Sequence, residues 1–263
     1  MIKLIGLPFD ENSSFLRGPA DAPAVIRAIW NDGASNDYAE NLSEIKEHVI
    51  WEDAGNIDKT TQTTAAYFDQ ITSTIAAIVD KGDKPLCIGG DHSLTFPAIR
   101  GIATKYKQLH ILHVDAHPDL YHNFEDNYFS HASPFARVME NKLAVSLTQV
   151  GIRTLNKHQK EQAELFGVKQ FSPDAWTIND IQSLKGPLYI SVDLDGLDPA
   201  YAPGVSHHEP GGLSVRALLH IIQSGKAEIV GADIVEYNPS RDVHHMTARV
   251  AYKIAKELMA RMA

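Results

Sequence analysis

Cysteine is nearly missing from this chain: Cys87 is the one thiol in 263 residues, so no internal disulfide can form. A reducing cytoplasm is the expected setting. Positive charge is scarce as well. The chain has 24 Lys and Arg against 33 Asp and Glu, a net charge of -9, which offers no basic face to nucleic acid and instead favours cations. No run of about 18 apolar residues suggests a membrane span. The apolar run in Met1-Ile2-Lys3-Leu4-Ile5-Gly6, before Pro8, is too short for a signal peptide. Also lacking are any long Pro/Gly/Ser linker, low-complexity tract or internal repeat, so residues 1–263 are expected to fold as a single domain. A hydrophobic fraction of 44% and a charged fraction of 22% suffice for a full core.

What is present is an alternation. Short β-rich apolar runs over 2–7, 49–51, 85–88, 111–114, 147–152, 188–192 and 229–234 predict strands. Between and after them, helical patterns are predicted over 21–30, 61–80, 96–106, 133–140, 157–166, 214–223 and 246–262, the last carrying Val250, Ile254 and Leu258 at helical spacing. Strands separated by helices imply a three-layer α/β/α fold with a mainly parallel sheet. Ligands gather beyond the carboxyl ends of such strands, and the two longest irregular stretches, 118–132 and 196–212, both follow such ends.

Three strand ends carry hard ligands in unusual density. They are Gly89-Gly90-Asp91-His92-Ser93, then Asp115-Ala116-His117-Pro118-Asp119, then Asp193-Leu194-Asp195-Gly196-Leu197-Asp198-Pro199. Side chains two apart on extended backbone share a side, so Asp115, His117 and Asp119 can converge if strand geometry persists, and Asp193 with Asp195 likewise. One Asp-X-His alone would read as a turn or a helix cap. Several carboxylates clustered at the end of a buried sheet would repel one another unless protonated or bound to metal. Four carboxylates and two imidazoles without a thiolate favour two divalent ions, manganese over a structural zinc, although ligand softness alone leaves zinc, iron, cobalt and nickel open as well.

These three segments, in this order, resemble the metal-binding signatures of the ureohydrolases: arginase, agmatinase, guanidinobutyrase and formimidoylglutamase. The likeness runs from Asn12-Ser13-Ser14-Phe15-Leu16-Arg17-Gly18-Pro19-Ala20 to Val235-Glu236-Tyr237-Asn238-Pro239. The segments starting at Ser130, Gln149 and Ala202 are most similar to plant-type arginases. The resemblance implies an arginase-like fold and two Mn2+ held by His92, Asp115, His117, Asp119, Asp193 and Asp195. Water made acidic by the two cations would attack the guanidino carbon of L-arginine or agmatine, giving urea and ornithine or putrescine. In this role set, Asp119 accepts a hydrogen bond from the water, His131 handles protons near the leaving group, and Glu236 pairs with the guanidinium. Homo-oligomers, trimers or hexamers, are implied too, with a small guanidino substrate as partner and no nucleic acid or membrane.

Substrate choice is less defined. Where animal-type arginases carry Asn and Asp to read the amino-acid end of the substrate, this chain has Tyr121 and Asn156. Asn127, Asn156 and His207 are the candidate contacts to the substrate tail. Formimidoylglutamase or another guanidino-acid hydrolase is the alternative within the family; a non-catalytic member would have lost a ligand, His131 or Glu236, and a one-zinc deacetylase would not need six ligands. The other histidines, His48, His110, His113, His122, His158, His220, His244 and His245, read as structural or surface groups. Cys87 reads as a small buried hydrophobe, Asp91 as a group orienting a ligand histidine or a helix start, and Gly204, Gly211 and Gly212 as turn residues.

Overall fold

The computed structural model describes all residues, 1–263. Eight strands form one all-parallel sheet: β1 (Ile2–Gly6), β2 (Trp51–Asn56), β3 (Lys84–Ile88), β4 (His110–Val114), β5 (Ser146–Val150), β6 (Lys169–Phe171), β7 (Leu188–Asp193) and β8 (Ile229–Val235), in the order β2-β1-β3-β8-β7-β4-β5-β6. The inner strands β7 and β8 are buried at every position. That is the reason they read as continuous apolar runs and not as alternating ones.

Helices cover both faces. On one side α1 (Ala22–Trp30), α6 (Ile178–Gln182), α7 (Val215–Ser224) and α8 (Met246–Met262) close a core of 39 buried residues. On the other, α2 (Thr64–Asp80), α3 (Thr95–Lys105), α4 (Pro134–Glu140) and α5 (Lys157–Phe166) close a core of 25. The arrangement is the expected three-layer α/β/α sandwich. No helix is long and apolar enough to cross a membrane.

Departures from the predicted elements fall at the sheet edges. The strand predicted over 49–51 forms instead at Trp51–Asn56, whose last four residues are exposed, so this edge strand carries no apolar signal. Strand β6 has three residues, Lys-Gln-Phe, none fully buried, and pairs with β5 alone, which left it unpredicted. Helix α6 was also unpredicted, though Thr177 and Asp180 form a reciprocal capping box at its start.

The topology positions the site. Strands β3, β8, β7 and β4 are neighbours, and the register pairs Ile88 with Ile234, Val192 with Ile234 and Val114 with Val192. The residues that follow these strands therefore emerge level with one another. The chain leaves β3, bypasses β8 and β7, and enters the sheet again at β4, so the reversal of strand order opens its crevice at these carboxyl ends.

Candidate functional site

His92 opens a 3-10 turn after β3. The Asp91 side chain caps that turn through the Ser93 N–H at 3.0 Å and also accepts the Asn12 N–H at 3.0 Å, so Asp91 serves the helix-start role. Gly89 and Gly90 stand before it with φ of 87 and 77, conformations that L residues resist. The His92 ring is fixed from behind. Its Nε2 faces Ser191 Oγ at 3.0 Å, and that hydroxyl donates to buried Asp233 at 2.6 Å. Since the hydroxyl proton is committed to Asp233, Ser191 accepts from His92, and the ring proton sits on Nε2. The Asp233 carboxylate also accepts from Thr95 at 2.7 Å and Tyr189 at 2.8 Å.

The lone pair on His92 Nδ1 then points into the site. This buried atom has no hydrogen-bond partner, although Asp115, Asp119 and Asp193 place carboxylate oxygens 3.1, 2.9 and 3.2 Å away. Bonds of about 2.1 Å to a small divalent cation, at right angles, put neighbouring donor atoms about 3 Å apart. The orphaned nitrogen and its three carboxylates fit that spacing. Burial opposes a positive His92, yet the three carboxylates raise its proton affinity well above the ordinary imidazole value. A cation answers the same demand.

A second group of donors shares Asp115. His117 Nδ1 lies 3.4 Å from Asp115 Oδ1 and 3.1 Å from Asp195 Oδ2, and its Nε2 faces Glu209 at 3.4 Å. Asp115, His117 and Asp195 approach closely enough to hold an ion together. Burial pushes the Asp195 carboxyl up to about 6 despite His117, and burial with Asp195 and Asp115 pushes Asp193 further in the same direction. Asp115 goes the other way: burial opposes its charge, but the contacts with His113, His117 and His92 together hold the carboxyl well below the usual range. All six predicted ligands therefore meet at one place. The route differs from the expected one, because β4 ends at Val114 and Asp119 turns back through a left-handed φ of 51. Loop geometry, not persistent strand, brings Asp119 in.

Glu236 follows β8, also left-handed with φ 61. Its Oε1 accepts the His92 backbone N–H at 2.9 Å and meets His131 Nδ1 at 2.9 Å. Burial works against charge on both, but their mutual attraction prevails, so His131 is pushed up to about 9 and Glu236 is lowered. The Ser14 N–H and hydroxyl meet His131 Nε2 at 3.1 and 2.8 Å. An amide N–H needs an acceptor, so the Ser14 contact works against the protonation that Glu236 favours.

Several of these groups open on a cavity of about 270 Å³ whose wall includes Asp119, His131, His207, Glu236, Tyr121 and Asn156. His207 packs between Phe15 and the rings of His117 and His131, at 5.2, 5.8 and 5.6 Å. Asn156 lines the wall with both ends engaged, its Oδ1 capping α5 and its Nδ2 bonding Tyr121 Oη at 2.8 Å. Asn127 is a correction. It is not on the cavity wall; its side chain ties the loop to Asn12 and Phe129, because the tight Phe124–Asn127 bridge turns it away.

Residue-level reading missed Ser14, Ser191, Asp233 and Glu209. A polar residue inside an otherwise apolar buried strand, as Ser191 and Asp233 are, was the available signal. Ser14 and Glu209 stand in segments resembling the family, but no local pattern gives either a role, and both arrive from loops distant in sequence.

Comparison with known proteins agrees with this geometry. The Arginase family model matches residues 1–260. The chain is 44% identical to "Arginase 2, chloroplastic/mitochondrial" of Arabidopsis thaliana, over 98% of this chain and 80% of that protein. It is 31% identical to an agmatinase of Bacillus anthracis, over 98% of this chain and 90% of that one. Its fold superimposes on the arginase of Medicago truncatula with a TM-score of 0.93 at 41% identity, covering 99% of this chain and 87% of the other. With six metal-type ligands converging at the carboxyl edge of the sheet and nearly the whole chain matched, this protein belongs to the arginase family, hydrolases that cleave guanidino carbon–nitrogen bonds.

Proposed function

We propose that this protein hydrolyses L-arginine to ornithine and urea with two divalent cations per chain, manganese by preference. The observation that carries the reading is the Glu236–His131 pair, 2.9 Å apart, opening on the same cavity as the ligand cluster. The four carboxylates Asp115, Asp119, Asp193 and Asp195 match the charge of two such ions, and an all-oxygen-and-imidazole donor set suits manganese. Bound there, the cations would supply a water acidic enough to act as a nucleophile near neutral pH. Asp119, on the cavity wall, would accept a hydrogen bond from such a water and help move its proton. Glu236 holds the planar guanidinium side-on by charge-assisted hydrogen bonds. His131, bonded to Glu236, delivers a proton to the leaving amine. His207 and Asn156 face the tail of the substrate from the wall.

The higher identity to arginases from plants than to agmatinase supports arginine. Agmatine is the second reading, favoured by the uncharged Tyr121–Asn156 stretch of the cavity wall, which has no carboxylate for an α-ammonium group. Steady-state urea release from both substrates, with manganese preloaded and metal counted per chain, decides. A kcat/KM for agmatine above that for arginine overturns the first reading, and turnover of formiminoglutamate instead of either overturns both. The proposal includes a homo-oligomer, trimer or hexamer, to be checked by sedimentation, and a cytoplasmic location, to be checked by fractionation.

A further inference from the structure

We propose that His113 is a positioning residue, not a metal ligand, and that a hydrogen-bond relay from Gln170 through Gln149 and His113 orients Asp115, the carboxylate common to both donor groups. The proposal rests on the metal-dependent reading of the site. Distance alone would make His113 a ligand. Its Nε2 lies 2.7 Å from Asp115 Oδ2, and its donor atoms, with those of His92, Asp115 and Asp119, are close enough to share one ion.

Gln149 settles which nitrogen carries the proton. Its Nε2 donates to the Pro118 carbonyl at 2.6 Å, while its Oε1 accepts from Gln170 Nε2 at 2.7 Å. A backbone carbonyl only accepts, so the Pro118 contact fixes the orientation of the Gln149 amide, and the Gln170 contact is consistent with it. The remaining N–H of that amide reaches His113 Nδ1 at 2.9 Å, which must therefore be the acceptor. A neutral imidazole that accepts at Nδ1 bears its proton on Nε2. That proton points at Asp115, and no lone pair is left there for a cation. Both His113 and Gln149 are fully buried, and Phe135 packs on the His113 ring with centroids 4.0 Å apart, so neither water nor rotation offers an alternative.

The consequence is a carboxylate held at both oxygens. Asp115 Oδ2 takes the His113 proton and Oδ1 takes the His117 backbone N–H at 2.6 Å. Each oxygen retains acceptor capacity, Oδ2 toward the His92 group and Oδ1 toward the His117 group. The relay thus sets the plane of the one ligand that both groups depend on. Partners of this kind typically change metal affinity by about 10–100-fold.

Manganese affinity of the full chain, measured by competition with a chelating dye, and the melting temperature of the same protein kept in chelator test this together. His113→Leu removes the donor to Asp115, His113→Gln keeps an amide N–H in its place, and Gln149→Met removes only the group that fixes the tautomer. We expect affinity to fall about 10–100-fold in His113→Leu, to fall less in Gln149→Met, and to return to within a few-fold of the parent in His113→Gln, with the chelator melting temperatures of His113→Leu and His113→Gln alike. Loss of a whole equivalent of metal in both His113 variants would make His113 a ligand and overturn the proposal. So would unchanged affinity in His113→Leu, or, where that variant does not fold, in Gln149→Met. A parent protein that binds no manganese would instead bring down the metal-dependent reading itself.

Discussion

Glu236 and Asp119 are bulky acidic residues in left-handed backbone, φ 61 and 51, a conformation that costs of order 1–3 kcal/mol each and persists where surrounding contacts demand it. Both sit at the cavity, yet they act on different partners. Glu236→Gln should leave the metals bound, because Glu236 bonds His92 through the backbone and His131 through the ring, neither through a metal-facing atom. Losing a buried charged partner costs about 3–5 kcal/mol, so kcat/KM should drop by roughly two to four orders of magnitude. Asp119→Asn should lower metal content and activity together. Metal analysis and urea assay on the same preparations separate the two, and a Glu236 variant with near-full turnover would refute its pairing with the guanidinium. Acidity supplies a second test. Asp195, ordinarily near 3.8, is pushed up to about 6 by burial against the pull of His117, so without cations the fold favours its uncharged form. That contribution to stability is complete below the ordinary value and is lost as pH rises through about 6. Bound cations favour the carboxylate instead. The gain in melting temperature from manganese should therefore grow from about pH 5 to about pH 7.5, and a gain constant across that range would contradict the assignment.

Elements deliver these residues through a few tight junctions. Between β3 and His92, Gly90 has φ +77, and a Cβ there would lie 2.0 Å from Leu94 Cδ1, 2.6 Å from the Leu7 carbonyl and 2.7 Å from that of Phe9. Leu94 could move; the two backbone oxygens belong to the segment leaving β1 and cannot easily follow. Gly90→Ala should cost about 2–4 kcal/mol, read as a lower urea midpoint, and should displace His92 and so weaken metal binding. Stability near the parent value would mean that the junction is softer than its contacts suggest. The long loop 118–132 is anchored in a comparable way by α4, where buried Arg137 donates to the Tyr128 carbonyl at 2.9 Å, pairs with Glu140 and stacks 3.8 Å from the Tyr128 ring. Arg153 serves the other loop. It reaches the carbonyls of Gly151, Asp195, Gly196, Leu197 and Glu209, so the turns after β5 and β7 and the 196–212 loop share one cation.

For the whole molecule, the two cores of 39 and 25 buried residues on opposite faces of one sheet give a fold whose stability does not depend on the metal site alone. Chelation should therefore leave far-UV circular dichroism intact. Each cation that binds only the folded state at about 100 times its dissociation constant adds about 2.7 kcal/mol per site. For a chain of this size that corresponds to a melting temperature roughly 5–10 °C higher. Calorimetry with manganese and with chelator checks it; loss of secondary structure in chelator would show that the ions are structural.

Sequence alone determined the alternation of strands and helices, since buried parallel strands are largely apolar, and it marked which strand ends are chemical, since several such acidic and histidine motifs occurring together are not explained by capping alone. The six candidate ligands, His131 and Glu236 stood out because each stands in a short motif resembling a known family. Tertiary structure decided what depends on neighbours distant along the chain. The edge strand β6 has no apolar signal and exists through its pairing with β5. The same pairing places Gln170 beside Gln149, and the β4–β5 register brings Gln149 opposite His113, so a histidine that read as merely structural stands against Asp115. Asn127 read as a substrate contact, yet a turn in its loop directs it to Asn12. Local pattern reports what a residue must bury or bond. Strand order and loop closure choose its partners, and only the folded chain contains them.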